Sequence, residues 1–142
     1  MDVRRFRLTA ILVTMLVCLP SGMPGAQDAG LTAISPRQFK TMLDRHKDAG
    51  DIIVLDIRTP KEFAGGHIEG AVLLDYYSRD FVDRLKKLDR QQTYLIYCRS
   101  GNRTGKSLEI FEKLGFARVY HLETGLIGWV QEGYPLVRPS GA

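Results

Sequence analysis

One short segment of the chain concentrates the groups that can do covalent chemistry: Tyr97-Cys98-Arg99-Ser100-Gly101-Asn102-Arg103. A cysteine stands at the end of an apolar run, and a polar loop with two arginines follows it. The thiolate is the reactive form of cysteine, and it is favoured by cations, by backbone N–H donors and by a helix N-terminus. Ser100, Gly101 and Asn102 are short, so the backbone after Cys98 can curl and aim several N–H groups at one point. That makes an anion cradle at the head of the helix that follows. Arg99 and Arg103 add positive charge at the two ends of the loop. The residues therefore mark Cys98 as a nucleophile that needs no histidine base. The competing reading is a buried, inert strand cysteine, and the polar loop argues against it.

The rest of the chain bounds where such a loop can act. It has 142 residues, 20 Lys+Arg against 16 Asp+Glu, 44% hydrophobic residues and 2 cysteines. This is one ordinary domain, and it excludes intrinsic disorder, a polytopic membrane protein and a disulfide-stapled miniprotein. Arg4, Arg5 and Arg7 precede an apolar or small stretch from Leu8 to Leu19, and Pro20-Ser21-Gly22 and Pro24-Gly25-Ala26 follow. That order predicts a signal peptide over residues 1–26 and a single domain over 27–142, exported to a periplasmic or secreted location. The apolar run falls short of the roughly 20 residues of a membrane span, so no stable membrane insertion is expected after cleavage. The leader holds three arginines and one aspartate, so its removal lowers the formal charge from +4 to +2. No Lys/Arg run in the remainder reads as a nucleic-acid patch. Cleavage also removes Cys18, which leaves Cys98 without a partner for an internal disulfide.

Positioning Cys98 requires a rigid strand before the loop and a helix after it. Tyr94-Leu95-Ile96-Tyr97 is a continuous buried strand, as is Ile52-Ile53-Val54-Leu55, which leads into Asp56-Ile57-Arg58. Ala71–Leu74 and Val119–Leu122 read as further strands, and Leu31–Ile34 as a short extended segment. Ser35 caps a helix with Pro36 first and Gln38 third, a capping box in which Ile34 and Phe39 form a hydrophobic staple. That helix is expected to reach about Asp48 and stop near Gly50. Thr59-Pro60-Lys61-Glu62 is a second capping box, opening a short turn that carries Phe63 inward. Phe81–Leu88, Arg103–Leu114 and Gly125–Glu132 complete the helices, with Gly115 as a stop. Strands alternating with helices predict an α/β domain with a mostly parallel central sheet flanked by helices on both faces. In such sheets ligands bind beyond the carboxyl ends of the strands, where Cys98 falls.

At these residues the chain resembles the single-domain rhodanese-like sulfurtransferases. The resemblance rests on the Cys98–Arg103 loop and on Asp56-x-Arg58, Glu62-Phe63, Gly66-His67-Ile68 and Gly70-Ala71. Gly125-x-x-x-Trp129 with Gly133-Tyr134-Pro135 completes it. It covers a core of about residues 34–137. Thr124 stands where the family usually has the first glycine of a pair, and Thr104 replaces the common serine.

The resemblance implies a rhodanese-like fold and transfer of sulfane sulfur from a thiosulfate-like anionic donor, through a persulfide on Cys98, to cyanide or a thiol acceptor. It implies that N–H groups of residues 99–103 hold the terminal sulfur, that Arg103 closes the cradle and that Arg99 meets the donor's sulfonate. No cofactor and no metal are expected, and His67 reads as a hydrogen-bonded turn residue rather than a ligand. Asp56 and Arg58 are read as a structural ion pair, and Trp129 as core that also floors the pocket.

Three other functions compete. A cysteine phosphatase has five residues between its Cys and Arg, where this chain has four. A non-turnover persulfide carrier for a partner protein in the cell envelope needs the same loaded cysteine, so the sequence leaves it open. A thiol–disulfide oxidoreductase lacks the Cys-x-x-Cys pair.

Overall fold

The computed structural model describes residues 30–46 and 49–139. The leader over residues 1–26 and the expected helix end at residues 47 and 48 lie outside the described residues. Five strands form one all-parallel sheet: β1 (Gly30–Ile34), β2 (Ile52–Asp56), β3 (Val72–Leu73), β4 (Thr93–Tyr97) and β5 (Arg118–Leu122), in the order β1-β5-β4-β2-β3. Parallel neighbours need crossover connections. These carry α1 (Pro36–His46), α2 (Pro60–Ala64), α3 (Phe81–Lys86) and α4 (Asn102–Lys113), while α5 (Gly125–Gln131) follows β5. β4 is central, which is why all four residues of its run Tyr94–Tyr97 are buried.

Both faces are covered, as the sequence predicts. Side chains alternate along a strand, so β4 sends Tyr94 and Ile96 into a cluster with Phe81, Leu85 and Phe111 of α3 and α4. It sends Leu95 and Tyr97 into a second cluster with Phe39 of α1 and Leu126 and Trp129 of α5. Phe39 meets the rings of Tyr97 and Trp129 edge to face, at 6.3 and 5.9 Å, contacts worth about 0.5–1.5 kcal/mol each beyond the area they bury.

Local signals set the element ends. Ser35 N–H donates to Gln38 Oε1 at 2.9 Å and Gln38 N–H to Ser35 Oγ at 3.3 Å, the expected capping box. Thr59 and Glu62 close the second one. β3 is shorter than the predicted Ala71–Leu74, though Leu74 N–H still donates to the Asp56 carbonyl at 2.9 Å; a short edge strand offers little for another chain to pair with. α4 begins one residue before its predicted start. Phe63 is only half-buried, stacked on the His67 ring with centroids 3.7 Å apart. Among the described residues no helix is long and apolar enough to cross a membrane.

Candidate active site

Cys98 follows directly on β4, and strand alternation turns it to the same face as Tyr94 and Ile96. The chain leaves β4 for β5 and leaves the neighbouring β2 for β3, in opposite directions. The gap between the carboxyl ends of β2 and β4 is therefore a topological switch point, the place where open α/β sheets bind ligands. Cys98 stands at one lip, with Asp56 and Arg58 at the other.

The start of α5 shapes the loop. Leu126 N–H donates to the Cys98 carbonyl at 2.8 Å and Ile127 N–H to that of Arg99 at 3.0 Å. A planar trans peptide points its N–H opposite to its C=O, so the N–H groups of Arg99 and Ser100 turn away from α5. Gly101 N–H donates to Cys98 Sγ at 3.2 Å, and the Thr104 hydroxyl lies 3.8 Å from the same sulfur. Two glycines permit this packing. At Gly101 (φ 86°) a Cβ would sit 1.8 Å from the Glu123 carbonyl oxygen. At Gly125 (φ 57°) one would sit 2.5 Å from the Arg99 carbonyl carbon and the Ser100 nitrogen. Both positions demand a left-handed backbone and no side chain.

The Arg103 guanidinium is gripped by a carboxylate and also interacts with the charge of Cys98. Its Nη1 and Nη2 donate to the two carboxylate oxygens of Glu62, at 2.8 and 2.7 Å, and its guanidinium carbon lies 5.6 Å from the centre of the Tyr77 ring. The Arg103 hydrogen bonds hold the Glu62 carboxyl down at about 2, against burial, with the backbone and hydroxyl of Thr59 helping. The same pair raises the Arg103 pKa. A carboxyl depressed in this way stabilises the fold fully above its ordinary value of 4.5 and loses that contribution as pH falls toward about 2. Urea midpoints followed across that window should fall more steeply for the wild type than for Glu62→Gln; parallel curves would refute the coupling.

Asp56 and Arg58 are buried together. Arg58 Nη2 donates to Asp56 Oδ2 at 2.6 Å and to the Gly66 carbonyl at 2.7 Å, while Nε donates to Asp56 Oδ1 at 2.9 Å. Burial pulls the Arg58 pKa down, and the hydrogen bonds and charge of Asp56 outweigh it, leaving it above its ordinary value. Tyr97 lies under this pair, its ring centre 5.7 Å from the guanidinium carbon; burial pushes its phenol far up, with the Asp56 charge adding to the effect. A cavity of about 490 Å³ opens beside the loop, lined by Arg58, Glu62 and Arg99 and by Leu126, Ile127 and Val130 of α5.

Residues 35–132 match the family description Rhodanese-like domain. The chain belongs to the rhodanese-like family. A protein named Sulfurtransferase from Allochromatium vinosum is 33% identical over 102 residues, covering 72% of this chain and 94% of that relative. A probable adenylyltransferase/sulfurtransferase, MoeZ of Mycobacterium tuberculosis, is 31% identical over 110 residues, 78% of this chain but only 27% of the relative. A crystal structure of a rhodanese-like domain protein from Staphylococcus aureus superposes with a TM-score of 0.63 at 28% identity, covering 77% of this chain and 99% of that one. Relatives that carry the name sulfurtransferase support a sulfur-transfer role for this rhodanese-like domain.

Within that family the departures at Thr124 and Thr104 are mild. Thr124 has φ −94°, open to any residue, and the left-handed position is the retained Gly125. Thr104 keeps its hydroxyl on the sulfur's side of α4. Arg99 and Ser100 are exposed, Asn102 opens α4 at the surface and Gly101 is buried. The expectation that Trp129 also floors the pocket does not hold. Trp129 lies on the core face of α5, donates from Nε1 to the Pro135 carbonyl at 3.0 Å and borders a separate cavity near α1 and Ile52–Val54. Leu126, Ile127 and Val130 line the rhodanese-like cavity instead. His67 Nδ1 lies 3.1 Å from the Phe63 carbonyl. The sequence shows Glu62 as a cap and a motif residue, and its grip on Arg103, 41 positions away, is a property of the fold. His121, buried behind Thr104, carries no sequence signal beyond a strand position.

Proposed function

We propose that the domain takes the outer sulfur of thiosulfate, or of a similar anionic donor, onto Cys98 as a persulfide and passes it to cyanide or a thiol acceptor. The observation that carries this reading is the sulfur's own environment: a Gly101 N–H donor at 3.2 Å and a hydroxyl at 3.8 Å, in a loop at the head of α4. Such a site supplies charge stabilisation rather than proton transfer. The reaction asks for that alone. The Cys98 thiolate attacks the outer sulfur, the donor's S–S bond breaks, and its electron pair leaves with sulfite. Cyanide then attacks the outer sulfur of the persulfide and the thiolate returns, with no proton moved in either half.

Charge pairing assigns parts to the arginines. Arg58 and Arg103 already hold carboxylates, so they shape and brace the cavity; Arg99, exposed on its wall, is the cation that meets the donor's sulfonate. The N–H groups of residues 99–103 hold the terminal sulfur. This reading includes export, with residues 1–26 as the cleaved leader, and a periplasmic or secreted site of action.

A covalent intermediate means two half-reactions. Initial rates at varied thiosulfate and cyanide should give parallel double-reciprocal lines. Intersecting lines would mean that both substrates bind before sulfur moves, and the persulfide route would fall.

A further inference from the structure

β5 carries a buried histidine that the sulfur-transfer route has not used. His121 is 9% exposed and shares strand phase with Val119, which places its ring on the face covered by α4. Its Nδ1 lies 3.3 Å from Thr104 Oγ1. Thr104 is fully buried, and its hydroxyl reaches the Gly101 carbonyl at 2.9 Å and the Cys98 sulfur at 3.8 Å. The chain His121–Thr104–Cys98 is thus continuous and enclosed.

Proton counting fixes the direction of these bonds. Burial lowers the His121 pKa, opposed by the charge of Glu123 two residues on, so the ring is neutral at neutral pH and has a single N–H. The strands on either side place Ala33 and Ile96 opposite it, neither titratable, and α4 brings Thr104, behind which lies Cys98. Thr104 has one proton to give, and it goes to the Gly101 carbonyl. That arrangement leaves His121 Nδ1 to donate to Thr104. Were Nδ1 bare, it would compete with the sulfur for the Thr104 proton. The Gly101 carbonyl also accepts Gly105 N–H at 2.9 Å, so the Thr104 proton can leave it without stranding a buried acceptor.

We propose that His121 is a positioning residue: its Nδ1–H donates to Thr104, leaving the Thr104 hydroxyl proton to swing from the Gly101 carbonyl to Cys98 when the sulfur carries charge. The proposal rests on the sulfur-transfer reading for its purpose, and its test needs no sulfur transfer. Alkylation of Cys98 by iodoacetamide, followed against pH, reads the anionic sulfur directly. His121→Leu should displace the alkylation profile to higher pH by about one unit, which is about tenfold slower on its acid limb, where little of the sulfur is anionic. His121→Asn, whose amide N–H can occupy the place of Nδ1–H, should stay within about twofold of the wild type, whereas His121→Gln, whose donor sits at the Nε2 position, should be slow. Thr104→Val should match His121→Leu, and the double variant Thr104→Val/His121→Leu should be no slower than Thr104→Val, because the histidine acts through the threonine.

The Asn and Gln pair decides the matter even if the Leu variant folds poorly. A His121→Leu profile that overlies the wild type, an Asn variant as slow as Gln, or a double variant slower by the product of the two single effects would each overturn the proposal. If the alkylation pattern appears in a protein that takes no sulfur from thiosulfate, the function fails and the role of His121 at the sulfur stands.

Discussion

The Cys98→Ser protein is expected to form no thiocyanate above background, a loss of about a thousandfold or more, while unfolding within about 1 kcal/mol of the wild type. Both halves of that expectation come from the same geometry. Serine keeps an acceptor for the Gly101 N–H that reaches Cys98 at 3.2 Å, and it changes little volume in a position only 1% exposed. The fold therefore loses little. Oxygen cannot carry sulfane sulfur as a persulfide does, and an alcohol at neutral pH is a weak nucleophile without a base beside it. Steady-state thiocyanate formation together with a urea titration checks the two halves. Residual turnover with wild-type stability would show that another group carries the sulfur.

The largest loss of stability is expected at Asp56→Ala. Arg58 is 5% exposed, and with Asp56 gone its guanidinium keeps the Gly66 carbonyl, the Tyr97 ring and the more distant charge of Glu62, itself held by Arg103, but no carboxylate hydrogen-bonded to it. Breaking a buried pair from one side costs about 3–5 kcal/mol, because the remaining charge stays desolvated. Removing both ends as Asp56→Ala/Arg58→Met should recover much of that loss, since the stranded charge goes too. Urea unfolding of the three proteins measures it. A double variant as unstable as the sum of the two single variants would mean that the pair does not act as a unit. The loss should also reach the site, because Asp56 stands in register with Tyr97, the residue before Cys98.

Much of this architecture was legible in the chain because local rules decide it. Ser35-Pro36-x-Gln38 and Thr59-Pro60-x-Glu62 each carry a complete capping box, and both form. The continuous apolar runs at 52–55 and 94–97 mark strands buried on both faces, and they are neighbours in the sheet. The placement of Cys98 between the end of β4 and the head of α4 was legible because strand end, short loop and helix start are consecutive in sequence. What could not be read is what the fold brings from elsewhere. Arg103 is expected to close the cradle, and nothing local announces that a carboxylate 41 residues earlier holds its fork. Trp129 packs in the core as expected, but it does not also line the cavity beside the loop, because its side of α5 faces Phe39. His121 sits in a run that reads as a plain strand, and only the packing of α4 on β5 sets Thr104 between it and the sulfur.

If Cys98 carries sulfur as a persulfide in a cycle with free acceptor, the mass of the protein must change with each half-reaction. Intact mass spectrometry of the protein after thiosulfate, and again after cyanide, reads that change. One added sulfur atom on the wild type, absent in Cys98→Ser and removed by cyanide with thiocyanate released over many cycles, is the predicted result. Loading that cyanide discharges only once would make the domain a carrier rather than an enzyme, and a wild-type mass unchanged by thiosulfate or any other sulfane donor would contradict the account.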